Sequence, residues 1–248
     1  MEKILILHGW GSCAKNWQKV KEFLEKKGVR VFLFDLPGFG KNPSPLKPWS
    51  TKDYFAWVKD YIEKNIDSNF FLLGHSFGGK IAIPLSLEME DKISGLILIA
   101  PAIFSSKANL RGKIFATLWK IIFPLISPLL KFKIFKKLYN FLRYIFYSFF
   151  LRNPQYLKLN LTMRKTFAIV NKEDFSSLLS KIKVKTLILW GENDKILPLK
   201  QAFLIKEKLK KADLKILKKV GHSPNLKIPD LLGEIIFQFV KSYGKNFS

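Results

Sequence analysis

Short, continuous apolar runs alternate along the chain with stretches in which apolar residues recur every three or four positions. "KILIL" (Lys3–Leu7), "VRVFLFD" (Val29–Asp35), "FFLLG" (Phe70–Gly74), "ISGLILIA" (Ile93–Ala100) and "KTLILWG" (Lys185–Gly191) are of the first kind. "DLKILKKV" (Asp213–Val220) is a more polar sixth. Such runs, bounded by Gly, Pro and polar clusters, predict strands. The helical period follows each of them. It is seen in "KNWQKVKEFLEKKG", closed by Gly28, and in "TKDYFAWVKDYIEKN", with Thr51 near its N-cap and Phe55, Val58 and Ile62 apolar. It returns in "FGGKIAIPLSLEME", from about Leu199 to Lys210, and from about Asp230 to Tyr243. Strands apolar on both faces, each followed by a helix, predict a mostly parallel sheet of about six strands with helices on both faces.

The alternation breaks once. From Pro101 to about Val170 the pattern is helical, aromatic and basic, and no Asp or Glu occurs between Lys92 and Lys172. "KFKIFKKLYNFLRYIFYSFFLR" (Lys131–Arg152) is its extreme. This predicts an α/β core from residues 1–101 and 171–248, with a helical insertion over 102–170.

Charge adds one question. Lys and Arg number 43 against 19 Asp and Glu, a formal net charge of +24. Such an excess suits nucleic acid, anionic membranes or acidic substrates. Lysine is spread over the whole chain, however, so most of the excess reads as solvated surface. The single cysteine, Cys13, excludes an internal disulfide framework, and with three scattered histidines it makes no metal cluster. No leader-like segment and no apolar run of about 18 residues is visible, so a cytoplasmic protein is expected.

In a parallel sheet, ligands are held at the carboxyl ends of the strands. "HGWG" (His8–Gly11) follows the first strand and "GHSFGG" (Gly74–Gly79) the third. "GENDK" follows the fifth and brings Asp194; "GHSPN" follows the last and brings His222. Ser76 has glycine two positions away on each side, Gly74 and Gly78. A serine at the tip of a sharp strand-to-helix turn needs small neighbours there, and gains an exposed hydroxyl. The bland reading is a glycine-rich turn with an incidental serine.

The order Ser76, Asp194, His222 is that of the α/β-hydrolases, and the chain resembles that family, in particular its small cofactor-free serine esterases with a helical cap. The pieces that carry the resemblance are "HGWG", "DLPGFG" (Asp35–Gly40), "GHSFGG", "KVKTLILWGENDKILP" and "GHSPN". It implies that Ser76 is a nucleophile, His222 its base and then its acid, and Asp194 the partner that orients the imidazole. It also implies an oxyanion hole made by the backbone N–H groups of Phe77 and Trp10. His75 reads as a structural part of the elbow, and His8, with Gly9 and Gly11, as the brace of the oxyanion loop. Glu192 and Asp213 rival Asp194 as the acid. Asp194 has the family's spacing from Gly191, and Asp213 precedes its strand. Serine at the nucleophile position speaks against the epoxide-opening and dehalogenating branches, which carry Asp there. No nucleotide-binding pattern occurs, and neither cofactor nor metal is expected.

Two departures from the family pattern stand out. The sequence starts almost at the first strand, hence the expectation of about six strands rather than eight. Lys41-Asn42 also replaces the usual serine after "DLPGFG".

The expected function is hydrolysis of carboxylic esters, lactones or thioesters of hydrophobic acyl groups, with the aromatic face of the cap lining the acyl pocket. A second reading places the basic cap on an anionic membrane. Nucleic acid is not an expected partner. A C–C bond hydrolase, an acyltransferase and a cofactor-free haloperoxidase would use the same three residues. A non-catalytic binding protein would have no need of them.

Overall fold

The computed structural model describes residues 1–105 and 159–244, together with Lys137, Tyr139 and Phe141. Six strands form one sheet: β1 (Lys3–Leu7), β2 (Arg30–Leu33), β3 (Phe70–His75), β4 (Ile93–Ile99), β5 (Thr186–Gly191) and β6 (Ala212–Leu217). Their order is β2-β1-β3-β4-β5-β6, and every pair is parallel. The helices are α1 (Gln18–Lys26), α2 (Thr51–Asn65), α3 (Phe77–Glu88), α4 (Leu161–Lys172), α5 (Lys200–Lys208), α6 (Pro224–Lys227) and α7 (Pro229–Tyr243).

The two-residue period of the strands divides the core between the sheet's faces. Ile4 and Ile6, Phe71 and Leu73, Ile97 and Ile99, and Leu187 and Leu189 point to one face. There they meet Val20 and Leu24 of α1 and Leu232, Ile236, Phe239 and Val240 of α7. The opposite face is covered by α3, which packs on β1, β3 and β4 and against α2. Helix α3 is buried on nearly every side, from Phe77 through Ser86. That is why its sequence reads apolar all round rather than amphipathic.

The N-cap of α2 is Ser50, beside Thr51: the Ser50 hydroxyl accepts the Asp53 N–H while the Asp53 carboxylate accepts the Ser50 N–H at 2.7 Å. Strand β6 ends at Leu217, because Lys219 turns the chain with φ 58°.

The chain divides into two compact units, Met1–Ser105 with Lys165–Ser248, and Ser106–Arg164. Most of the expected insertion, including all of the aromatic stretch Lys131–Arg152 but Lys137, Tyr139 and Phe141, lies outside the described residues. Its described C-terminal part, α4, is helical as the pattern predicts. Among the described residues, no helix is long and apolar enough to cross a membrane.

Candidate active site

Ser76 stands between the last residue of β3 and the first of α3, with φ 52° and ψ −112°. A non-glycine residue rarely adopts such a backbone, and the surroundings hold it there. The Ser76 N–H donates to the Ile99 carbonyl, and the Ser76 carbonyl accepts the N–H groups of Gly79 and Ala102. The flanking glycines allow the approach. A Cβ on Gly74 would lie 2.6 Å from the Gly78 carbonyl oxygen, and one on Gly78 would lie 2.1 Å from that of Leu7. Gly74 thus closes the elbow on itself, whereas Gly78 lets α3 start against the end of β1.

The carboxyl ends of β5 and the chain after β6 bring the other two residues. Asn193 N–H donates to the Val220 carbonyl at 2.8 Å, and Glu192 N–H to that of Leu217 at 3.0 Å. The loop holding Asp194 is so stitched to the segment leading to His222. His222 Nδ1 lies 2.7 Å from Asp194 Oδ2, and His222 Nε2 lies 3.0 Å from Ser76 Oγ. The Asp194 side chain is wholly buried. Its other oxygen, Oδ1, accepts the N–H groups of Ile196 and Leu197 at 2.8 and 2.9 Å. With Oδ2 accepting at Nδ1, the imidazole carries its proton there and turns a bare Nε2 to the serine hydroxyl.

The rival acids are elsewhere. Glu192 accepts the Lys219 N–H through Oε2, and Asp213 sits exposed in β6. Asp35 is a loop brace: its carboxylate accepts the N–H groups of Ala14 and Lys41. Lys41-Asn42 fits this role, since the Asn42 amide also donates to the Asp35 carbonyl at 2.8 Å.

The loop after β1 lies beside the elbow. A Cβ on Gly9 would come within 3.1 Å of the Ser76 Cβ. His8 is fully buried; its Nε2 accepts the Leu36 N–H at 3.0 Å, and its Nδ1 donates to the Gly9 carbonyl at 2.8 Å. Burial lowers its pKa and keeps it neutral, as an accepting Nε2 requires. The Gly9 carbonyl also accepts the Ser12 N–H, while Gly11 turns this loop with φ 70°. In a trans peptide the C=O and the next N–H point in opposite directions. Anchoring the Gly9 carbonyl therefore fixes the direction of the Trp10 N–H. Neither Trp10 N–H nor Phe77 N–H is engaged by another of the described residues.

Aromatic rings surround these two donors. The Trp10 ring meets Phe39, Phe77 and Phe167 at centroid distances of 4.9, 5.4 and 5.0 Å. Tyr54 stands edge-on to Phe77 at 5.0 Å and donates to the Pro37 carbonyl.

Residues 3–227 match the profile of the alpha/beta hydrolase fold family. The chain belongs to that family. Across 98% of its length it is 28% identical to a Mycoplasma pneumoniae protein provisionally named esterase/lipase 2, covering 90% of that protein. It is 26% identical to an Escherichia coli 2-hydroxy-6-oxononadienedioate/2-hydroxy-6-oxononatrienedioate hydrolase, over 96% of this chain and 87% of the relative. Among solved structures, an esterase from Exiguobacterium antarcticum superimposes with a TM-score of 0.73 at 22% identity, over 97% of this chain and 92% of the other.

Sequence reasoning missed one buried charged group in this α/β-hydrolase. Lys80, on α3, is almost fully buried; its Nζ donates to the carbonyls of Val170 and Glu173 at 2.6 and 2.9 Å. The Glu173 carboxylate in turn accepts from the N–H and hydroxyl of Thr51. Lys80 sits in an otherwise apolar helix, and that misfit was the available signal.

Proposed function

We propose that this α/β-hydrolase cleaves carboxylic esters of hydrophobic acyl groups through an acyl-enzyme on Ser76. One observation carries the reading: the unbroken chain of contacts from Asp194 through His222 to a strained, half-buried serine. His222 Nε2 takes the Ser76 proton as Oγ attacks the carbonyl carbon. The oxyanion receives the N–H groups of Trp10 and Phe77. His222 then protonates the leaving alkoxide, and a water deprotonated by His222 releases the acid and restores Ser76. Asp194 keeps the ring in the useful tautomer and stabilises the imidazolium. The aromatic surround of Trp10 and Phe77 favours an apolar acyl chain. Relatives bearing esterase and lipase names support the same chemistry.

A second reading is favoured by the Escherichia coli relative, whose name is that of a C–C bond hydrolase. It uses the same base and the same oxyanion donors. The +24 net charge further supports an anionic lipid surface as the place of action.

The test is turnover of p-nitrophenyl esters of rising chain length, of simple lactones and of a ring-fission dienedioate, by wild type and Ser76→Ala. The expected result is ester turnover with an optimum at medium or long acyl chains, lost by about 10³-fold or more in Ser76→Ala, and fluorophosphonate labelling of Ser76. Exclusive turnover of the dienedioate would replace the ester reading by the second one. No turnover and no labelling would sink both.

A further inference from the structure

His75 is adjacent to the nucleophile but turned away from it, and its position in the packing gives it a second task. The ring is buried, with 4% exposure. Its Nε2 lies 2.9 Å from the backbone carbonyl of His222, across 147 residues of sequence. The two imidazoles are in contact, with centroids 5.0 Å apart. Trp17 packs against His75 with a centroid separation of 5.7 Å. The Nδ1 edge faces the oxyanion loop, where a Cβ on Gly9 would lie 3.0 Å from it.

We infer that His75 is a positioning residue for the base: its Nε2–H holds the His222 carbonyl and so sets the imidazole between Asp194 and Ser76. A carbonyl can only accept, so Nε2 of His75 carries the proton. Nδ1 is then bare, and no partner is seen for it among the described residues. This fixes one neutral tautomer. Burial and the neighbouring His222 push its pKa down to about 3, so it remains neutral when His222 becomes an imidazolium. The segment carrying His222 is tied on its other side by Asn225, whose amide donates to the Asn16 carbonyl at 2.9 Å. His75 is the tie on the nucleophile's side. It thus couples the elbow, the oxyanion loop and the base loop through one ring. Small displacements of a catalytic group are costly, about 10²-fold for 1 Å.

This inference rests on the Ser76–His222 reading, and two kinds of readout separate their failures. Leucine at position 75 removes the donor without enlarging the side chain. Glutamine keeps an N–H near the place of Nε2. His75→Leu is expected to lower kcat by about 10- to 100-fold with KM changed less than twofold, and to slow fluorophosphonate labelling in parallel. His75→Gln is expected to recover most of the loss. Equal kcat in wild type and His75→Leu, with wild type active, would overturn the inference and leave the hydrolase intact. So would equal loss in both variants at unchanged Tm. Nitrogen-15 NMR of the wild-type protein needs neither turnover nor a variant. It should show His75 as the neutral Nε2–H tautomer from pH 5 to 9. An Nδ1–H tautomer, or a His75 that titrates in that range, would overturn the inference even if no substrate were found.

Discussion

His8 and His75 are buried and neutral, each donating from one ring nitrogen to a backbone carbonyl, whereas His222 alone has both nitrogens on side chains. Identical residues thus differ through the partners their backbone positions supply. The same holds for the acids at the end of β5. Glu192 and Asp194 are two residues apart; the first faces the turn after β6 and the second is enclosed with two N–H donors on Oδ1. Asp194→Asn places an amide against Nδ1 and favours the wrong tautomer, so kcat should fall by about 10⁴-fold with the fold retained. Glu192→Gln should stay within threefold of wild type. Rates on a single p-nitrophenyl ester, checked against unfolding midpoints, decide it. A stronger effect at Glu192 would return the acid's role to the residue that spacing alone left as a rival.

At the scale of elements, Lys80 binds α3 to the end of α4. An ammonium in that setting loses hydration, and burial pushes its pKa down to about 8 despite Glu173 and Asp174 nearby. A neutral amine still has two N–H donors for the two carbonyls it meets. The unfolded chain binds a proton there up to about pH 10.5, the folded one only to about pH 8. Between these values the unfolded state holds more protons, so this group's contribution to stability rises with pH and is lost as pH falls through 8. Tyr54 acts oppositely above pH 10, since burial raises its pKa. The stability of wild type relative to Lys80→Met should therefore increase from pH 7.5 to 9.5. Urea midpoints of both proteins at each pH measure this. A gap that is constant or shrinks would show that the amine stays charged in the fold.

These elements also mark how far the sequence could be read. Five of the strands were legible within about a residue or two at each end, because burial on both faces leaves unbroken apolar runs. Strand β6 was weaker in sequence because Asp213 and Lys215 within it are exposed. That Ser76, Asp194 and His222 meet was legible because strand ends, glycine spacing and the resemblance to the α/β-hydrolases point to these positions along the chain. The tie from His75 to the His222 carbonyl was not, since one partner is backbone and has no residue identity. The partners of Lys80 were hidden for a related reason, since both are carbonyls, although a lysine in an apolar helix marked the position.

At the scale of the whole molecule, the charge is the least balanced feature. With 43 basic against 19 acidic residues, the field around the protein is positive over distances comparable to the screening length, about 10 Å at 0.1 M salt and about 30 Å at 0.01 M. Local ion pairs such as Lys59–Glu88 and Lys64–Asp60 are exposed and leave this excess uncancelled. An anionic lipid surface meeting such a field gains about 1 kcal/mol for each basic residue that reaches it. If lipid-derived esters are the substrates, this attraction brings the enzyme to them before any acyl chain is bound. Vesicles with 30 mol% phosphatidylglycerol should therefore co-sediment the protein at 20 mM NaCl, while phosphatidylcholine vesicles should not. Raising NaCl to 300 mM separates two mechanisms. Release means that charge alone holds the protein at the surface. Retention means that apolar side chains enter the bilayer as well, because salt does not weaken their burial. Absence of binding to the anionic vesicles at low salt would remove the membrane from the proposal, and leave a hydrolase that meets its esters in solution.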